Sequence, residues 1–183
     1  MEFKRILSLI KMPLIVLLVL HLLMLGAGLF QNAKVLGYGL STLVSLTLIL
    51  IFLVSLGVYA KTGWDMVAKN GMNPSDALVG GLMLAVISTT INAVVKLAFM
   101  LLFGFILVGA GSMLGQGLGG QQGAMVGGGI AGLIAGLYLF AVGFLIILSF
   151  FFWSIFGTIV AGLGGYLAKR RMNPAKSPSE PIQ

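Results

Sequence analysis

No charged side chain occurs between Leu97 and Ala168, and this long uncharged run constrains the fold more than any other feature. A membrane-spanning helix needs about 20 consecutive apolar residues, so the run is too long for a single span. In the whole chain only 8% of the residues are charged and 59% are hydrophobic, whereas an average soluble domain has roughly 25% charged residues. This composition excludes a soluble globular domain, a disordered chain and a small disulfide-bonded scaffold. It predicts an all-α, polytopic integral membrane protein.

The uncharged run has a natural break in the segment 111–123, which is rich in glycine and contains three glutamines. Glycine resists helix formation, and the break divides the run into two spans. A loop outside the membrane is favoured for this segment over a re-entrant loop that lines a pore. The sequence therefore predicts four transmembrane helices in one domain over residues 1–171, at about 12–31, 35–62, 77–110 and 125–168. The tail 172–183 is rich in proline and serine and is predicted to be disordered.

The positive-inside rule places the basic residues of a membrane protein mainly on the cytoplasmic side. With four spans, both termini and the 61–76 loop share one side of the membrane. That side then carries nine basic residues, namely Lys4, Arg5, Lys11, Lys61, Lys69, Lys169, Arg170, Arg171 and Lys176. The opposite side carries only Lys34, and Lys96 falls within a span. We therefore expect both termini to be cytoplasmic.

The first eleven residues place apolar side chains at helical spacing, at Phe3, Ile6, Leu7 and Ile10. Two interpretations fit this pattern. The segment is either a short amphipathic helix on the membrane surface or a direct extension of the first transmembrane helix.

Segment 68–74, Ala-Lys-Asn-Gly-Met-Asn-Pro, matches segment 168–174 at five of seven positions, 100 residues further along. The match suggests a duplication into two tandem helical hairpins, and a chance resemblance between two helix ends is the alternative. In the first copy, Gly71 is expected in the left-handed conformation that ends a helix, and Pro74 at the first position of the next helix. Before this turn, the i, i+4 spacing of Lys61, Asp65 and Lys69 predicts a charged helix face.

Small side chains recur every four residues in the last predicted span, a pattern called a glycine zipper. In lipid, close backbone contact over small residues drives helix association, because apolar burial alone does not. The predicted helix-packing residues are Gly128, Gly132, Gly136, Gly157, Ala161 and Gly165. They predict a tightly packed helical bundle, and contact with a partner helix in this chain or in another.

The third predicted span carries a polar face, since Ser88, Asn92 and Lys96 are spaced i, i+4, i+8. Polar groups in a membrane usually face the bundle interior or a cavity. No predicted span contains an acid to pair with Lys96, so its ammonium either reaches the membrane surface or meets an external acid, anion or lipid phosphate. His21, midway along the first span, is expected to bond to a neighbouring helix.

These residues give no basis for enzymatic chemistry, a metal site or a cofactor, because the chain has one histidine, no cysteine and no paired acids in its spans. The sequence shows no arrangement of aromatic and basic residues of the kind that binds nucleic acid. The expected partners are membrane lipid and other membrane subunits or further copies of this chain. The sequence thus predicts a non-catalytic membrane subunit assembled by glycine-mediated helix packing. The alternative is a small oligomeric channel or carrier for anions or lipid headgroups, a transport function.

Overall fold

The computed structural model describes residues 3–32 and 38–172, with the side chains of 3–27 and 41–172. Over these residues it contains three α-helices, α1 (Phe3–Asn32), α2 (Tyr38–Ala68) and α3 (Pro74–Met172). Each has a stretch that is long and apolar enough to cross a membrane. The prediction of an all-α chain is therefore confirmed, and three of its helices are long and apolar enough to span a membrane. Of the predicted tail 172–183, Met172 is the last residue of α3. The rest of the tail, with Lys176, and the predicted outer residue Lys34 lie outside the described residues.

Helix α1 begins at Phe3 and continues without a break into the apolar segment. Ile6 and Ile10 are fully buried against the rest of the bundle, so residues 3–11 are part of the first helix and not a separate surface helix. Pro13 lies inside α1. Because proline has no amide hydrogen, it cannot donate to the carbonyl of Leu9 one turn earlier.

The turn between α2 and α3 follows the sequence prediction closely. Gly71 adopts a positive φ of 64°, and its amide donates to the carbonyl of Val67 at 3.1 Å. Helix α3 begins at Pro74. One oxygen of Asp76 accepts from the amide of Asn73 at 3.1 Å, which satisfies a donor at the start of α3.

The charged face predicted at the end of α2 is also present. Asp65 accepts from Lys61 at 3.1 Å and from Lys69 at 3.0 Å, one lysine on each side along the helix. Both pairs have the i, i+4 spacing at which charged side chains on a helix meet. The spacing of these three residues was therefore enough to predict their contacts.

Helix α3 is interrupted at two glycines in the middle of the uncharged run. Gly119 has φ −147° and ψ 20°, and Gly120 has φ 61° and ψ −143°. The backbone is helical on both sides of them, so the expected loop over 111–123 is reduced to a two-residue break. We call residues 74–118 the first limb of α3 and residues 121–172 the second limb.

The described chain divides into two compact units, and the single domain over 1–171 stays a prediction. The first unit holds the described residues up to Thr89 and those from Phe152 onward, and the second unit is Thr90–Phe151. In the first unit, α1, α2 and the two ends of α3 pack into a helical bundle. Its core is apolar and includes Ile6, Ile10, Leu17, Tyr59, Met66, Leu84 and Trp153.

In the second unit the two limbs of α3 pack against each other as an antiparallel hairpin. A Cβ added at Gly115 would lie only 2.7 Å from the carbonyl carbon of Gly123. One turn further from the break, a Cβ at Gly111 would lie 2.8 Å from the carbonyl oxygen of Gly127. The limbs therefore touch backbone to backbone, at a separation that only glycine permits.

The two copies of the apparent repeat differ in backbone structure. In the first copy the helix ends at Ala68 and a turn follows, whereas in the second copy the helix continues from Ala168 to Met172. Asn173 and Pro174 lie outside the described residues. A common origin of the two copies stays a prediction.

Candidate functional site

The predicted packing residues Gly157, Ala161 and Gly165 lie in the interior of the first unit. A Cβ added at Gly157 would be 2.8 Å from the ring of Tyr59 on α2. A Cβ added at Gly165 would be 2.7 Å from the Cβ of Ala77 on the first limb of α3. These three small residues lie on the second limb of α3. They pack there against α2 and against the first limb of α3.

The other predicted stripe, Gly128, Gly132 and Gly136, does not form the contact between the limbs. Gly128 is in ordinary contact with Ser112, and an added Cβ at Gly132 or Gly136 would meet no atom within 4 Å. The limbs instead meet on the face one residue earlier. That face holds Gly127, Ala131 and Ala135, and the two alanines are each only 7% exposed.

Gly132 and Gly136 belong to an open glycine stripe on the second unit, which continues to Gly143. Offsets of four and eleven residues place these three glycines within a narrow sector of the helix. None of the three has an atom of the described residues within 4 Å of an added Cβ. Phe140, one turn after Gly136, is 78% exposed beside the stripe. The half-buried Leu139 projects from the stripe itself, between Gly136 and Gly143. Gly132 and Gly136 therefore form a short apolar notch that a second helix could approach closely.

An aromatic and polar cluster joins all parts of the first unit around Trp153, which is 5% exposed. His21 on α1 meets its ring edge-on, with ring centroids 5.6 Å apart. Tyr59 on α2 stacks on it at 6.0 Å. The Tyr59 hydroxyl shares a 3.2 Å hydrogen bond with the hydroxyl of Ser88 on the first limb of α3.

The hydrogen bonds of this cluster point to structural roles. His21 Nδ1 lies 2.8 Å from the carbonyl of Leu17, and a carbonyl only accepts, so Nδ1 carries a proton. The Ser88 hydroxyl also donates to the carbonyl of Ala85 at 3.1 Å. His21 Nδ1 and the hydroxyls of Tyr59 and Ser88 are thus each held by a neighbour, as buried polar groups usually are.

The polar face of the first limb becomes less buried toward Lys96. Ser88 in the first unit is fully buried, and Asn92 in the second unit is also buried, at 6% exposure. Lys96, one turn further, is half-buried. Its ammonium makes no hydrogen bond or ion pair with any residue that the structure describes.

Among the described residues, no group of three or more His, Asp or Glu is placed to hold a metal ion.

Sequence reasoning missed the aromatic part of the cluster around Trp153. Tyr59 resembles the aromatic residues that lie at membrane surfaces, yet it is fully buried. The small residue Gly157, which makes room for the Tyr59 ring, lies about a hundred positions away along the chain.

Comparison with protein families, curated proteins and solved structures finds no match to this chain.

Proposed function

We propose that this chain is a non-catalytic membrane subunit that binds a partner helix along the open glycine stripe. The partner helix belongs to another membrane protein or to a second copy of this chain. The observation that carries the proposal is the open space at Gly132 and Gly136, flanked by the exposed Phe140.

The first unit supports this reasoning by its own packing. There the stripe of Gly157, Ala161 and Gly165 is covered by α2 and the first limb of α3. Helices in lipid associate where small residues let backbones approach. The open glycine stripe has the same chemistry as the covered stripe but has no helix of the described residues packed against it. A helix from a partner would complete it.

Within this proposal the chain crosses the membrane four times, with both termini in the cytoplasm. The break at Gly119 and Gly120 supports this count, since it turns the chain back within the long uncharged run. The basic residues at both ends of the described helices support the orientation. The half-buried ammonium of Lys96 would then meet a carboxylate on the partner.

The test is the assembly state of a Gly132→Leu/Gly136→Leu variant in mild detergent, measured by native mass spectrometry. Two leucines fill the notch, so the variant should fold but lose the partner or the second copy. Gly57→Leu is the matched control, because Gly57 lies on α2 in the first unit and also has open space beside it. An assembly that survives in the double variant would refute the proposal.

A second candidate function, a small oligomeric channel or carrier for anions or lipid headgroups, is favoured by Lys96 alone. A half-buried lysine whose ammonium bonds to no residue that the structure describes suits a transient anionic ligand, and Asn92 and Ser88 lie on the same helix face. Anion flux into liposomes should fall in Lys96→Met and persist in Lys96→Arg, which keeps the charge. Equal flux in the wild type and Lys96→Met would refute this function.

A further inference from the structure

A groove of about 540 Å³ lies between α1 and α2 in the first unit. On the α1 side it is lined by Leu9, Met12, Pro13 and Val16, which share one helix face. The volume is within the range of about 300–1,000 Å³ that is common for small-molecule sites in proteins. This side of the groove presents only apolar side chains.

On the α2 side, apolar and charged residues alternate along the helix. Val58 and Met66 continue the apolar lining, and Lys61, Asp65 and Lys69 form a charged rim that runs along the groove. Thr62 and Asn70 add polar side chains. The rim has one more positive than negative charge. The side chains of Lys61 and Lys69 are 71% and 66% exposed. Each ammonium has three donors, so donors are left over beyond the bond to Asp65.

We propose that this groove binds one anionic glycerophospholipid. An acyl chain lies against the apolar lining from α1 and α2, and the phosphate accepts hydrogen bonds from Lys61 and Lys69. Charge complementarity and the division of the groove into an apolar and a charged part both fit such an amphiphile. The site is separate from the open glycine stripe, so its test does not depend on the proposed assembly.

The apolar lining also favours an acyl chain over an extended peptide. An acyl chain brings no polar group to the lining, whereas an extended peptide would bring amides that the side chains of Leu9, Met12 and Val16 cannot satisfy. Lysine binds phosphate as a compact point charge. Two such charges on the rim of an apolar groove match a lipid headgroup at the membrane surface.

The test is lipid retention by the full-length chain, measured by native mass spectrometry in mild detergent. The probe is an equal mixture of phosphatidylglycerol and phosphatidylcholine with identical acyl chains. The wild type should retain phosphatidylglycerol, and Lys61→Gln/Lys69→Gln should retain about tenfold less, because each basic residue near a membrane surface contributes appreciably to anionic lipid binding. Asp65→Asn should retain more, since it removes the competing carboxylate. Val16→Trp should retain less, because the indole fills the apolar part.

The matched control is Lys4→Gln/Lys169→Gln, which removes the same charge at two exposed positions outside the groove. It should retain phosphatidylglycerol as the wild type does. Equal loss in the control and in Lys61→Gln/Lys69→Gln would show general charge attraction and overturn the proposal. Undiminished retention in Lys61→Gln/Lys69→Gln or in Val16→Trp would overturn it as well. An associated polypeptide that is lost with the two lysines would assign the groove to a protein partner instead.

Discussion

Replacing Gly63 by alanine should destabilise the first unit, although the new residue is the better helix former. The added Cβ would lie 2.6 Å from the carbonyl carbon and 3.0 Å from the Cα of Ala161, and it would also clash with the carbonyl oxygen. These atoms belong to the backbone of a packed helix, so they cannot rotate away as a side chain does. The two helices must separate, and the neighbouring contacts loosen with them.

The magnitude follows from two opposing terms. Overpacking a well-packed interior costs about 1–3 kcal/mol and occasionally more, and a backbone obstacle places Gly63→Ala at the upper end. Replacing glycine by alanine inside a helix stabilises the folded state by about 1 kcal/mol, because alanine has the higher helix propensity. We therefore expect the free energy of unfolding to fall by about 2 kcal/mol, which is roughly a thirtyfold change in the unfolding equilibrium.

Gly57→Ala on the same helix is the matched control, because its added Cβ meets no atom within 4 Å. Only the helix-propensity gain applies there, so the variant should be more stable by about 0.5–1 kcal/mol. Both variants would be unfolded by sodium dodecyl sulfate in mixed micelles and followed by circular dichroism. If Gly63→Ala proved as stable as Gly57→Ala, the close contact between α2 and the second limb of α3 would be refuted.

Three further predictions use the same unfolding measurement. Tyr59→Phe removes the hydrogen bond to Ser88 and should cost about 0.5–1.5 kcal/mol; no loss would show that this bond contributes nothing. Gly120→Ala should cost about 1–3 kcal/mol, because φ 61° with ψ −143° is accessible essentially only to glycine. Gly117→Ala, with open space at its Cβ, is the control and should be neutral or stabilising, and equal effects of the two would contradict the backbone argument. Asp65→Asn should cost no more than about 1 kcal/mol, since its two lysine partners are largely exposed, and a larger loss would reveal a buried network.

Local features of the fold were predicted well because they depend on neighbours in the chain. The left-handed Gly71, the start of α3 at Pro74 and the pairing of Asp65 with two lysines each involve residues within one or two turns. The segment 111–123 was predicted less well. Its glycines favour a loop in water, but here three of the six, Gly111, Gly115 and Gly123, lie in the helical contact between the two limbs of α3. Packing therefore overrides the local preference of glycine, and only Gly119 and Gly120 leave the helix.

The sequence by itself determined the class of protein, the apolar helices and the presence of stripes of small residues. These follow from composition and from helical spacing. Only the tertiary structure decided which stripe faces which helix. Gly127, Ala131 and Ala135 have the same four-residue spacing as Gly128, Gly132 and Gly136, so periodicity cannot rank the two stripes. The choice depends on where the opposite limb lies, which is set by contacts between residues far apart in the chain. Burial of Tyr59 and Trp153 was decided in the same way.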